Sequence, residues 1–220
     1  MAANESGPPA LVNIGIPIPQ TLATLDDIFN RRQDRKAAPV ENFFANLRDD
    51  LEVIDTAVKA LDDKFIALVV AYSDKDIIGD PVRLKELGKE TKQYLTVSEI
   101  VPRLELSMGA IEGVAKNPNI AVPGHGLITV PAQLQIILTE LSGDNGRLVT
   151  YRNNLRLGVT SGIGWEWLLQ LYNLAEKDNW KPNAKGEEDI LALAYTALNV
   201  YTFELSGQIH RLVGQARLYC

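Results

Sequence analysis

The chain has 220 residues, of which 46% are hydrophobic and 23% are charged, and its net charge is −6 at pH 7. This composition is ordinary for a globular protein and provides enough apolar residues for one large domain or two small ones. The acidic balance argues against a mainly electrostatic nucleic-acid binder, a class that is usually basic. Cys220 is the only cysteine, which excludes an internal disulfide.

The first residues, MAANESGPP, lack the charged and apolar regions of a secretory signal peptide. The longest apolar run, FIALVVAY at residues 65–72, is far shorter than the roughly 20 residues that a membrane span needs. We therefore expect a cytoplasmic protein, or one located in a virion or another assembled particle if its role is coat-like.

Residues 7–22, GPPALVNIGIPIPQTL, are apolar but contain four prolines and two glycines. Their β-branched side chains recur at every second position, a pattern that is typical of an extended segment with one buried face. Pro17 and Pro19 exclude an inner strand, because their nitrogens cannot donate to a ladder. We therefore predict that residues 1–20 form an extended arm that lies in an apolar groove of its own bundle or of a neighbouring subunit. The predicted interface side chains are Val12, Ile14, Ile16 and Ile18.

A short helix is expected over about residues 22–35, with Thr24 as its N-cap. The basic cluster RRQDRK at residues 31–36 would then lie at the helix C-terminus, which favours cations. Residues 41–72 carry apolar residues at gaps of three and four, which predicts one helix about 45–50 Å long. Its apolar stripe consists of Phe43, Leu47, Leu51, Ile54, Val58, Leu61, Phe65, Leu68 and Tyr72.

The remaining helical patterns are less regular. Residues 81–115 have helical spacing with a kink or break expected at Pro102. Residues 131–157 are interrupted by SGDNG, which is either a turn or a stretch of helix that tolerates glycine. Further elements are a short helix at 164–177, loops at 117–131 and 179–186, and a helix over 188–218 whose apolar stripe extends to Tyr219.

These elements predict an all-α protein. Residues 21–220 are expected to form a single bundle of about four long antiparallel helices plus short helices. The extended N-terminal arm, residues 1–20, precedes this domain.

The sequence contains only two histidines and one cysteine. His125, His210 and Cys220 do not form a Glu-x-x-His or His-x-x-x-His motif, so we predict no metal site, no cofactor and no catalytic residue. SGIGW at residues 161–165 is not a phosphate-binding loop, because the glycine spacing and the lysine of that motif are missing. An enzyme would require a dispersed site around His125 and the three tryptophans, Trp165, Trp167 and Trp180.

One basic group is a candidate nucleic-acid contact. Arg147, Arg152 and Arg156 are five and four residues apart beside Tyr151, an arrangement that could contact phosphates next to a stacking aromatic ring. The alternative is a solvated helix face that pairs with nearby acidic residues.

The chain ends with Leu218, Tyr219 and Cys220. This triplet resembles the tails that proteasome activators insert into their target. The resemblance covers three residues and implies a proteasome-binding factor. Tyr219 is equally the next member of the apolar stripe of the last helix.

Long apolar stripes and an apolar arm, without a catalytic constellation, favour a non-enzymatic structural subunit. We expect it to self-assemble in a coat-like or filament-forming role, or to belong to a larger complex, with copies of itself as partners and with nucleic acid as a further partner if it is coat-like. The alternative is a helical bundle that binds lipid or acts on membranes. An enzyme with a dispersed site is the less favoured third class.

Overall fold

The computed structural model describes residues 18–95, 100–157, 170–173, 184–200 and 203–220. This part of the chain is mostly helical, which confirms the all-α character predicted from the sequence. Its elements are α1 Ile18–Gln33, α2 Pro39–Ala71, α3 Lys75–Ile78, α4 Pro81–Leu95, α5 Ile100–Lys116, β1 Asn119–Val122, β2 Gly126–Thr129, α6 Ala132–Ser142, α7 Arg147–Leu157, α8 Ala184–Val200 and α9 Phe203–Arg217.

Helix α2 is the central element, with 33 residues that confirm the helix predicted at 41–72. Pro39 occupies its first turn, where the missing N–H is tolerated, and Glu41 suits the positive end of the helix dipole. Every member of its apolar stripe from Leu47 to Tyr72 is buried, whereas Phe43 is partly exposed. Helices α1, α4, α5, α8 and α9 all contact α2.

Helices α1 and α5 run in the direction opposite to α2. Arg32 of α1 contacts Asp50 at 2.7 Å, and Arg35, in the segment between α1 and α2, contacts Asn46 at 2.9 Å. Later residues of the first stretch therefore pair with earlier residues of α2, as in antiparallel packing. Asp26 of α1 pairs with Arg103 near the start of α5 at 2.7 Å, and the hairpin that follows α5 approaches Pro39 at the start of α2, because a side-chain carbon on Gly124 would lie 3.7 Å from its Cγ. Helices α1 and α5 therefore lead toward the end of the molecule at which α2 begins.

Residues 117–131 are not simply a loop, as the sequence had suggested, because they contain an antiparallel hairpin of β1 and β2. Its turn has Pro123 followed by Gly124 at φ 78°, and the N–H of His125 donates to the carbonyl of Val122 at 3.0 Å. Pro then Gly with positive φ is the signature of a type II turn. The four-residue strands are short, and the prolines and glycines around them obscured their alternation in the sequence.

The glycine-rich interruption at residues 142–146 is a turn. Helix α6 ends at Ser142 and α7 begins at Arg147, and the N–H of Gly146 donates to the carbonyl of Gly143 at 2.7 Å. A side-chain carbon on Gly146 would lie 2.7 Å from the carbonyl oxygen of Leu141, so a larger residue would distort this turn.

Other boundaries differ from the sequence-based expectations by a few residues. Helix α5 begins at Ile100, so Pro102 lies in its first turn, where proline is tolerated, and residues 96–99 before it lie outside the described part of the chain. Thr24 is not an N-cap. It lies inside α1, and its hydroxyl donates to the carbonyl of Gln20 at 3.1 Å. Because α1 begins at Ile18, residues 18–20 of the predicted arm are helical, and residues 1–17 lie outside the described residues.

The C-terminal pattern at 188–218 corresponds to α8 and α9, and residues 201–202 between them lie outside the described part of the chain. Helix α8 begins at Ala184, so the end of the predicted 179–186 loop is helical. Tyr219 is 44% exposed beyond the end of α9, so it does not continue the buried stripe. Of the helix predicted at 164–177, only residues 170–173 are described, and they are helical.

One cluster of buried apolar side chains joins these helices. Phe65 is fully buried in it, and we expect Phe65→Ala to lower the free energy of unfolding by about 3–5 kcal/mol, because the substitution leaves a cavity. Val70 on the same helix is 52% exposed, and Val70→Ala should change it by less than about 0.5–1 kcal/mol. Urea unfolding of both variants measures the contrast, and equal small losses would show that the α2 stripe is not core.

Candidate functional site

A polar cleft lies between the middle of α2 and the start of α9. The lining residues of α2 are three or four positions apart, or adjacent, and so fall on one face of the helix. The lining residues of α9 lie within a single turn. The cleft has a volume of about 600 Å³. Its lining side chains are Asp55, Lys59, Asp62, Asp63, Ile66, Ser206 and His210, with Gly207.

His210 and Asp55 form the closest polar contact across this cleft, with 2.6 Å between Nδ1 and Oδ1. Both side chains are about one-third exposed. The hydrogen bond with Asp55 raises the pKa of His210 above its usual 6.5, against the opposing effect of burial, and the charge of Asp62 adds to the increase. The pair therefore favours a protonated imidazolium that joins α9 to α2.

Asp62 lies deeper in the same cleft and is only 7% exposed. The hydroxyl of Tyr151, itself 3% exposed, donates to its carboxylate at 3.1 Å. This contact bridges 89 positions of sequence and connects α7 to α2. A buried carboxylate requires such donors, because its desolvation is otherwise costly.

The cleft contains part of a general-base arrangement. Nδ1 of His210 is held by Asp55, and Ser206 lies one helical turn earlier on α9, 4% exposed and lining the same cleft. Orientation of a histidine by a carboxylate is one feature of nucleophilic active sites. The contacts of His210 and Asp62, however, connect one helix to another. No group of three or more His, Cys, Asp or Glu side chains in the described ranges is arranged to hold a metal ion.

A second charged cluster joins α1 to α2. Arg32 contacts Asp50 at 2.7 Å, Arg35 contacts Asp49, and Arg31 contacts Glu52 at 3.0 Å. Asp49 and Asp50 are almost fully buried. Burial raises the pKa of Asp50, and the neighbouring Arg32 guanidinium opposes the increase. The basic cluster at residues 31–36 thus partly compensates the negative charge of the buried carboxylates on α2. It also lies near the C-terminus of α1.

The predicted nucleic-acid residues that the structure describes differ in their exposure to solvent. Arg147 is exposed, and it lines a groove of about 770 Å³ at the α6–α7 turn together with Glu140 and Asp144. The Tyr151 ring faces the core and is not available for stacking on a base in this fold. Arg152 is partly exposed, and the side chain of Arg156 lies outside the described residues.

The remaining candidate residues are distributed over the molecule. His125 is exposed at the hairpin turn, remote in sequence from the cleft. Leu218 is 83% exposed, whereas the Cys220 thiol contacts the carbonyl of Ala216 at 3.5 Å, and burial raises its pKa to about 11. Val12, Ile14 and Ile16 and the three tryptophans lie outside the described residues, as does the side chain of Ile18.

No protein-family model matches the chain, and the comparisons found neither a curated protein nor a solved structure similar to it. None of the described helices is both long enough and apolar enough to cross a membrane.

We expect the His210–Asp55 pair to make stability depend on pH. Since the pKa of His210 is higher in the folded than in the unfolded chain, its stabilisation is complete below about pH 6.5 and is lost as the pH rises through the folded pKa. Urea unfolding at about pH 5.5 and about pH 8.5 should show a larger deficit for His210→Gln at the lower pH. His125→Gln, at the exposed turn, is the control and should follow the parent protein. A deficit that is equal at both pH values would contradict this role.

The Tyr151–Asp62 contact makes a separate prediction. Tyr151→Phe removes a donor from a buried carboxylate while keeping the ring, and we expect it to lower the free energy of unfolding by about 1–3 kcal/mol. Tyr195 is 58% exposed, and Tyr195→Phe should have an effect within about 0.5 kcal/mol. Chemical denaturation at neutral pH compares the two variants, and equal losses would mean that the bridge contributes no net stability.

Proposed function

We propose that this protein is a non-enzymatic structural subunit that self-assembles, in a coat-like or filament-forming role, and that its N-terminal arm binds a neighbouring copy. One observation carries the proposal. An apolar segment with period-2 alternation, Val12, Ile14 and Ile16, directly precedes α1. Burying each such side chain against a neighbour would stabilise the contact by about 1.5–3 kcal/mol.

The packing of α1 supports this proposal. Leu25 and Ile28 of α1 are 0% and 1% exposed, and both belong to the single core cluster of the described helices. The apolar faces of these helices therefore cover one another. The arm is a further apolar segment of the sequence, additional to this continuous core, which is the property expected of a connecting element.

The polar contacts support a rigid body. Lys64 of α2 pairs with Glu90 of α4 at 3.1 Å, and the Tyr72 and Thr91 hydroxyls lie 3.0 Å apart between the same region and α4. The cleft contacts of His210 and Tyr151 likewise connect separate helices. Charged and polar groups that hold helices together suit a subunit that keeps its shape within an assembly.

We propose further that the body is the predicted bundle of about four long antiparallel helices, with α2 as its central member. Nucleic acid is a second partner only in a coat-like assembly, and Arg147 and Arg152 are then its candidate contacts on α7. Neither lipid binding nor catalysis is favoured by a specific contact among the residues that the structure describes.

Removal of residues 2–17 tests the assembly role. Because α1 begins at Ile18, the deletion should leave the helical content by circular dichroism unchanged. The native mass, measured by light scattering after size exclusion, should fall toward the 24.3 kDa of one chain. An unchanged native mass, or a parent chain that is already monomeric, would contradict the proposal. Loss of helical content would show that the arm belongs to its own fold.

A matched pair of substitutions tests the apolar face of the arm. Ile14→Asp places a charge on the predicted buried face, where it cannot be solvated, and should reduce the native mass. Asn13→Asp adds the same charge to the opposite face of the alternating segment and should leave assembly intact. Equal effects of the two variants would indicate that net charge, rather than a buried face, governs association.

A further inference from the structure

The outer edge of β2 has no partner strand among the described residues, and the arm has the alternating pattern of a strand. We propose that residues 10–16 of one copy add as a third strand to the outer edge of β2 in a neighbouring copy, so that the copies join head to tail. This inference rests on the proposed function and specifies its acceptor surface.

The hydrogen bonds of the hairpin define the free edge. The N–H of Val130 donates to the carbonyl of Pro118 at 2.8 Å, and the strands pair Ile120 with Ile128. Because bonded and non-bonded pairs alternate in an antiparallel ladder, the backbone groups of Leu127 and Thr129 point away from β1. In the described residues the sheet has two strands, so this edge presents backbone groups ready to pair with another strand.

The faces of the hairpin also suit the arm. Val122 is buried and Ile128 is partly buried on the inner face, whereas Leu127 is 73% exposed on the outer face. A third strand continues both faces, since side chains alternate across neighbouring strands alike. Val12, Ile14 and Ile16 would extend the apolar inner face beside Ile128, and Leu11 would lie on the outer face with Leu127.

The sequence of the arm fits strand addition. Residues 10–16, ALVNIGI, contain no proline, although prolines lie at positions 8, 9, 17 and 19 on either side. No N–H group that would face β2 is therefore missing, and the segment is longer than the four-residue β2. A two-stranded hairpin is marginal by itself, and a third strand would stabilise it. Strand addition to an exposed sheet edge is a common mode of peptide recognition.

Ile18, which follows the arm in the sequence, lies far from the hairpin. Ile18 lies two turns beyond Asp26, which pairs with Arg103, and α5 runs from Arg103 toward the hairpin. At 1.5 Å per residue these stretches separate Ile18 from the hairpin by about 30 Å.

A second route gives a similar distance. It follows α1 to Arg32, crosses to Asp50 and follows α2 back to Pro39, and spans about 38 Å at the same rise. Pro39 marks the hairpin, because a side-chain carbon on Gly124 would lie 3.7 Å from its Cγ. At most about 3.4 Å per residue, Asn13 reaches only about 17 Å from Ile18. Both lengths, taken along the packed helix axes, exceed this reach, and we infer that the acceptor edge belongs to another copy.

An arm at one end and an acceptor at the other make a heterologous contact. Repeated, such a contact closes into a ring or continues as a filament, according to the rotation between copies.

A proline at the edge tests the acceptor. Leu127→Pro removes an outward-pointing N–H without breaking the ladder to β1, and it should reduce the native mass to that of one chain with helical content unchanged. Leu127→Ala removes the side chain but keeps the N–H and should still assemble. Ala121→Pro blocks the opposite edge and should also assemble.

If Leu127→Pro assembles while deletion of residues 2–17 does not, the arm binds elsewhere: this inference fails and the proposed function stands.

Mixing two deficient chains tests the head-to-tail geometry directly. The Leu127→Pro chain keeps its arm but lacks the acceptor edge, whereas the chain without residues 2–17 keeps the edge but lacks the arm. Equal amounts should form a one-to-one dimer that grows no further. Should Leu127→Pro unfold, mixing the arm-deleted chain with a synthetic peptide of residues 8–17 replaces it, and the peptide should bind. Failure of the arm-deleted chain to bind either partner would overturn the proposal.

Discussion

Four charged side chains are buried on α2, and the positions of the surrounding elements depend on pairing them. Asp49, Asp50, Asp62 and Lys64 are between 3% and 7% exposed. A buried charge is costly unless it is paired, so each one requires a partner from another element. The arginines of α1 and its link, Tyr151 of α7 and Glu90 of α4 are those partners. Apolar burial alone would allow the helices to rotate or slide, whereas these directional contacts define their register against α2.

The half-exposed His210–Asp55 pair differs from these deep contacts. The charge of His210 depends on pH, so a change of pH alters how strongly this pair attaches α9 to α2. Buried apolar residues of α9, including Ile209 and Leu212, keep the helix in place independently of this pair. The effect of pH is therefore on stability rather than on fold.

The hairpin is the only β structure in the described part of the chain, and it occupies the end at which α2 begins. It gives the described part of the chain a sheet edge whose backbone donors and acceptors point outward. The sequence before α1 contains a proline-free apolar stretch, residues 10–16. Association through the outer edge of β2 would leave the inward contacts of the hairpin undisturbed, because the backbone groups of Leu127 and Thr129 point away from β1.

The sequence by itself determined the helical class and the course of α2, because residues spaced three and four apart make a helix amphipathic whatever surrounds it. It also contains the alternation of apolar residues in the segment before α1. The partners of the buried charges could not be predicted, since Asp62 and Tyr151 are 89 positions apart and their meeting depends on how helices pack. The same is true of Tyr151, which local spacing placed beside arginines as a nucleic-acid contact and which tertiary packing turned toward the core. The hairpin was missed because strand pairing between four-residue segments is decided by turn geometry and by contact with α2, not by composition.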